Sequence, residues 1–462
     1  QSATWSGFGS NNTGIQTLIG TQSVTQIVYP ASGTGLGTPT TLTYTVTGAN
    51  GCTTSDDMTL EFTQPSTSVS GMTFTGGEWL YGGLTDTEWN EGANWYKFVT
   101  GSGPDKWERM TTQVPSGASN CKVYILNPTG DACVSDVNNC AVNVSSAQIQ
   151  NLEVANGAEL NLGSGLLNVS GDIINNGTLN AQSAKIKMSN SNSSNQTISG
   201  PIMANELEID INGAKLITTA DVNVRTKLTM TKGNIDNAGK IIVGESSSNS
   251  GLIVHTDGMI LGELKRYFPS TSVTNYHFPV GDGSTSTPTP RDAFLTFDTE
   301  AIGSNGQSIT MKFVSGYPTI NGGANNNYDG LPFTCPDGQL IQNYSNEGYY
   351  DIVPDDANGN GYGANINLIN YKLKMRAKDI VTVTDRDKVR LIKSPGPAHD
   401  HWEHVGHHMD VTGSTNADFY VTAGNFNGQS CIGFSFFGFG GDDANNPLPV
   451  DLVSFNGDCG DG

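Results

Sequence analysis

Between about residues 121 and 255 the chain is cut into apolar segments of two or three residues, separated by Gly, Asn and other polar residues. They include Val123–Ile125, Val142–Val144, Leu152–Val154, Leu160–Leu162, Leu167–Val169 and Ile173–Ile174. A helix needs apolar positions sustained at a 3.6-residue period over ~10 residues or more, and a sandwich strand usually runs ~5–6 residues. Segments this short fit the coils of a β-solenoid, where each strand stacks on its equivalent one coil away and no coil is stable alone. Asn151–Leu160 resembles Glu206–Leu216, Leu167–Val169 corresponds to Val222–Val224, and Asn176-Gly177 corresponds to Lys232-Gly233. An offset of about 55 residues reads as two or three coils. The competing architecture is a plain sandwich with Gly turns.

The flanking segments read differently. Thr41–Thr47 alternates with period two, Asn50-Gly51 is a hairpin turn, and Met58–Phe62 is the return strand. Tyr371–Met375 and Phe419–Thr422 alternate in the same way and imply antiparallel sheets. Trp79, Trp89, Trp95 and Trp107 crowd into the stretch before the first coil, where they would cap it with aromatic area. At 462 residues the chain exceeds the ~250–300 that one core supports, so several domains are expected. With 57 Gly and only 15% charged residues, it reads as all-β. The expected order is an Ig-like sandwich fragment, cut short at its start, over 1–65. A Trp-rich cap and right-handed β-helix or solenoid follow over 78–255. An antiparallel β-sandwich occupies 256–445, and 446–462 link to a following domain.

The net charge of −21, from 44 acidic and 23 basic residues, would repel nucleic acid and anionic membranes. No apolar run approaches the ~18 residues of a membrane span. The seven Cys form no C-x-x-C pair and no zinc spacing. Scattered through a Gly- and Asn-rich chain, they suggest disulfides and an oxidising compartment. Cys133 and Cys140 close a short polar loop in this reading, with Cys121 as competitor, and Cys335 pairs with Cys431.

Several blocks carry a family resemblance. Trp5-Ser-Gly-Phe-Gly9, Leu42–Thr47 and Asn50-Gly51-Cys52 resemble the Ig-like or PKD-like repeats of large Bacteroidetes surface proteins. Thr87–Asn90 with Asn94-Trp95 resembles the element that opens their solenoids, and Tyr276–Gly281 followed by Arg291–Phe297 resembles another of their recurrent blocks. Asn446-Pro-Leu-Pro-Val-Asp-Leu-Val-Ser-Phe455 resembles a segment of type IX-secreted members. The resemblance implies a secreted, cell-surface protein of the gliding or adhesin kind, exported by the type IX machinery. Its expected partners are glycans, surfaces or other subunits of a surface assembly. It also implies that Cys52 lacks a partner that lay nearer its domain's start.

Three groups of residues bear chemistry. Asp356-Ala-Asn358-Gly-Asn360-Gly361 fits the front half of a calcium loop, with Asp355 adding charge; hard oxygens at alternate positions can face one ion. Asn367 stands where an EF-hand has its bidentate Glu, and a solvated turn explains the same letters. His399, His401, His404, His407 and His408 stand close enough in sequence for a transition metal. Their spacing matches no zinc-protease motif, and an exposed loop is the alternative. Calcium is the expected cofactor. Glu206, Glu208 and Asp210 alternate and would share one face, as a polysaccharide-cleaving site would need and as an ordinary solvated strand would also show. No Ser-His-Asp arrangement or nucleophile elbow is visible. The expectation is a non-catalytic module.

Overall fold

The computed structural model describes residues 2–6, 40–47, 51–60, 74–81, 89–90, 92–101, 106–117, 121–125, 140–142, 146–283, 287–297, 307–316, 330–356, 358–380, 383–396, 399, 401–425 and 430–444. Cys133, residues 61–73 and the segment 446–462 lie outside these residues. The protein is nearly all β, with 57% strand, a β-solenoid of about six turns and antiparallel sheets elsewhere. Among the described residues the only helical elements are short 3-10 turns. The chain divides into two compact units, Gln1–Ala184 and Lys185–Gly462.

In the first unit, Ser2–Ser6, Thr40–Thr47 and Thr53–Leu60 form a three-stranded antiparallel sheet. The Trp-rich stretch builds a second element. Trp79–Tyr81 pairs antiparallel with Trp95–Val99 and parallel with Lys122–Ile125, the strand that opens the coils. Trp89, Trp95 and Trp107 are fully buried. Trp89 meets Trp95 edge-on at 4.6 Å, and the Trp95 indole N–H donates to the Trp89 carbonyl at 2.7 Å. Phe74, Leu80, Phe98, Trp107 and Tyr124 close a neighbouring cluster. The aromatic area therefore sits on the first coil strand, as a cap requires.

The coils are parallel ladders of short strands. In the first unit Leu152 lies between Val123 and Ile173, Leu160 between Cys140 and Leu179, and Leu167 beside Ala147. In the second unit the columns run Ile202–Val222–Ile241–Leu264, Leu207–Leu228–Ile253 and Gln196–Leu216–Ile235. Three columns mean three faces to a coil, at about 20 residues per coil. The inward Leu, Ile and Val of these columns are almost all fully buried. This geometry explains the sequence repeat. About 55 residues is roughly 2.7 coils at this coil length, so the repeat is not a whole number of coils. The repeat is a strand–turn–strand corner reused, because every corner imposes the same demand.

Strand Glu263–Tyr267 is parallel to Lys240–Val243 on one edge and antiparallel to Ser308–Ser315 on the other. From there an antiparallel sheet continues through Gly348–Asp355, Phe436–Gly441, Arg390–Ser394 and Glu403–His404. A second antiparallel sheet runs Val273–Phe278, Ala293–Phe297, Lys372–Lys378, Asp418–Gly424 and His407–His408. Alternation along Ala293–Phe297 and Lys372–Lys378 sends Leu295, Phe297, Leu373 and Met375 inward. Tyr371 stacks on Phe434 at 4.4 Å, Phe297 meets both rings, and the Tyr350 hydroxyl donates to the Arg376 carbonyl across the core at 2.8 Å. The result is a two-layer sandwich.

Candidate functional sites

Glu206, Glu208 and Asp210 do share an outward face, on strand Ile202–Thr218. The adjacent coils decide their chemistry. Lys185 and Lys187 come from strand Thr178–Asn190: Lys185 pairs with Glu208, and Lys187 donates to Glu208 at 2.7 Å and to Asp210 at 2.8 Å. Lys227, one coil further on, holds Glu206 at 2.8 Å. Burial disfavours the Glu208 carboxylate, but the two ammonium groups more than offset it and hold the group below the ordinary carboxylate range.

The Asp355–Gly361 loop closes on itself. One Asp356 oxygen accepts the backbone N–H groups of Asn358 at 2.9 Å and Asn360 at 3.2 Å, and the other accepts the Asn360 amide at 2.7 Å. Asp355 accepts from the backbone of Asp356 and Gly361 and reaches Lys265 at 3.4 Å. The Asn360 side chain thus acts as a donor to Asp356. Local hydrogen bonds overcome the burial of Asp356 and lower its pKa. Nothing in this arrangement points to calcium.

The five His do not converge. His404 is exposed on a strand of the first sheet, paired beside Arg390–Ser394, whereas His407 and His408 lie on a strand of the second sheet beside Asp418–Gly424. His399 stacks on Phe436 at 3.6 Å and its Nδ1 lies 3.2 Å from both the Ser394 carbonyl and the Ser435 hydroxyl. His401 stands near Glu403, at 3.9 Å. Among the described residues only His408 enters a cluster of ligand-type groups, with Cys335 and Asp337, and the ligand atoms all lie within 4.8 Å of one another. Cys335-Pro-Asp-Gly338 is a tight turn between Phe333–Thr334 and Leu340–Ile341, with Gly338 N–H donating to the Cys335 carbonyl at 2.9 Å. The Cys335 side chain packs with Ile341, Ile392 and Trp402.

Cys335 and Cys431 are free thiols, which corrects the expected disulfide. The reason is local: Cys335 faces Asp337 and His408, whereas Cys431 is engaged by Tyr371. Burial, with Asp337 beside it, pushes the Cys335 thiol up to about 12, and burial does the same to Cys431. Cys121 is also a buried free thiol, so it does not compete for the Cys133–Cys140 loop; Cys133 itself lies outside the described residues. Cys335 and Cys431 therefore lend no support to an oxidising compartment.

Two further arrangements emerge only in three dimensions. On the outer face of the second sheet, His277 stacks on Phe294 at 4.4 Å, Phe294 meets Tyr420 edge-on, and Lys374 lies over Tyr420 at 4.5 Å. Beside them Arg376 bridges Asp292 and Asp418, each at 2.8 Å, and Asp292 also meets His277 at 3.0 Å. On the first sheet, Lys312 contacts Glu263 at 2.9 Å and Asp351 at 3.8 Å, and burial raises the Asp351 carboxyl despite that lysine. Period-two alternation in the sequence hinted at the outer face, but which strands neighbour one another did not follow from it. Comparison with protein-family models, with curated proteins and with solved structures finds no match to this chain.

Proposed function

We propose that the chain is a non-catalytic extracellular surface module that presents a binding face and works in adhesion, gliding or filament structure. The observation that carries this reading is the compensated ladder on the coils. A solenoid that hydrolyses polysaccharide with a pair of carboxyls needs one held protonated beside another held ionised. Here Glu206, Glu208 and Asp210 each meet a lysine of an adjacent coil, and Glu208 is shifted toward the ionised form. The partners in this reading are glycans, surfaces or other subunits, and the outer face with Phe294, Tyr420, Arg376 and His277 supplies ring faces and charged hydrogen-bonding groups side by side. Secretion by the type IX route rests on the sequence resemblance. A net charge of −21 supports partners other than nucleic acid. Among the described residues no helix is long and apolar enough to cross a membrane.

The alternative is a polysaccharide-degrading protein, and Asp351 with Glu263 around Lys312 is the observation that favours it. The test is incubation of the purified chain with a panel of polysaccharides, followed by binding and reducing-end assays. Binding without turnover, weakened by Tyr420→Ala, supports the proposal. Release of reducing ends that Asp351→Asn abolishes would overturn it.

A further inference from the structure

His408 sits at the edge of the second sheet and is only 6% exposed. Its Nε2 lies 2.9 Å from the Leu391 carbonyl, an acceptor, so Nε2 carries the proton and Nδ1 keeps its lone pair. That Nδ1 is buried and has no hydrogen-bond partner. A buried acceptor without a partner is costly, so its environment calls for an explanation. His408 also shares a cluster with a thiol that is 2% exposed and with the Asp337 carboxylate. Sulfur, oxygen and nitrogen within 4.8 Å of one another have the spacing of groups converging on a single point.

We propose that Cys335 Sγ, an Asp337 carboxylate oxygen and His408 Nδ1 form a binding site for one zinc-type divalent ion. Thiolate with imidazole selects a borderline-soft metal over calcium or magnesium. The supporting contacts are those that such a site needs. The Leu391 carbonyl fixes the imidazole tautomer and orientation, as outer-shell acceptors do for metal-bound histidines. Arg390 Nε donates to one Asp337 oxygen at 2.6 Å, while the other accepts only the Gln339 backbone at 3.2 Å. Arg390 thus orients the carboxylate. On binding, the Cys335 thiol gives its proton to solvent, and thiolate and carboxylate together match the two charges of the ion. Three protein ligands leave a fourth position for water. The ion would pin the Phe333–Ile341 hairpin to the strand carrying His408, about 70 residues further along the chain. It acts as a clip on the sandwich, separate from the proposed binding face.

The test uses the full chain, reduced and stripped with a chelator. Zinc is titrated against a chromophoric competitor, and cobalt is followed by its thiolate charge-transfer absorption. We expect one equivalent of zinc to bind, raising the melting midpoint by mass action. Cys335→Ser should weaken binding by at least ~10-fold and remove the cobalt–thiolate band. His408→Gln should also weaken it, whereas His404→Ala and Cys431→Ser should leave it unchanged. Cys335→Ser is nearly isosteric, so it keeps the test decisive if His408→Gln does not fold. Absence of stoichiometric zinc binding, or binding and a thiolate band that survive Cys335→Ser, would overturn the proposal.

Discussion

Gly258→Ala isolates the close stacking of coils from ordinary backbone strain. Gly258 has φ +88°, and a Cβ built there would lie 2.1 Å from the Gly233 carbonyl oxygen of the coil below. Both atoms belong to tightly held backbone. Ile235 N–H donates to the Met259 carbonyl at 2.8 Å and Thr256 N–H to the Met230 carbonyl at 2.9 Å, so the coils cannot separate without weakening the ladder. Left-handed backbone costs an L-residue about 1–2 kcal/mol, and forcing a methyl into a closed space adds about 1–3 kcal/mol. Gly316 is the control, with φ +80° and nothing within 4 Å of its Cβ. Gly316→Ala should therefore lose only the backbone part. The expected difference between the variants is about 2 kcal/mol, or about 4–8 °C in melting midpoint for a unit of this size. Calorimetry of both variants under identical conditions measures it. Equal midpoints would mean that the corner yields freely and that tight coil contact is not what requires glycine there.

Lys187→Met should destabilise by about 1 kcal/mol at neutral pH, since it strips Glu208 and Asp210 of a shared partner. The Glu208 pKa is depressed in the folded state, so its contribution is present above the ordinary carboxylate value and is lost as pH falls through the folded one. Urea titrations should accordingly show the gap between wild type and Lys187→Met closing below about pH 4; a gap unchanged at pH 3 would show that the ladder acts through packing. Trp95→Ala should destabilise the first unit by about 3–5 kcal/mol, read as an earlier loss of Trp fluorescence, because it empties a buried site and orphans the Trp89 carbonyl. Asp356→Ala should lower the melting midpoint by removing the acceptor for Asn358 and Asn360, and millimolar calcium should not move the wild-type midpoint. A calcium-dependent rise that Asp356→Ala abolishes would restore the ion to that loop.

Much of the architecture was legible in local pattern. Short apolar segments punctuated by Gly and Asn announced coils, because a strand buried on one face between tight corners has little choice of residue type. Tyr371–Met375 and Phe419–Thr422 announced antiparallel strands by alternation. The Trp-rich stretch read as a cap because so many large rings need a common core to bury them. Even the internal repeat was real, although its offset of about 2.7 coils shows that it records corners and not whole turns.

What the sequence left open is everything that depends on which backbone lies beside which. Glu206, Glu208 and Asp210 look the same on paper whether or not lysines stand one coil away, and only coil register brings Lys185, Lys187 and Lys227 to them. Five nearby His suggested one site, yet the chain crosses between sheets within that stretch and sends His404 and His408 to different layers. Asp355 and Asp356 suggested a cation loop, but short Asx contacts to their own backbone came first. Conversely, Cys335 and Asp337 stand more than 70 positions from His408, and no spacing rule joins them. Proximity along a chain is set by covalent bonds, whereas a site is set by packing. Sheet pairing determined which of these side chains come together.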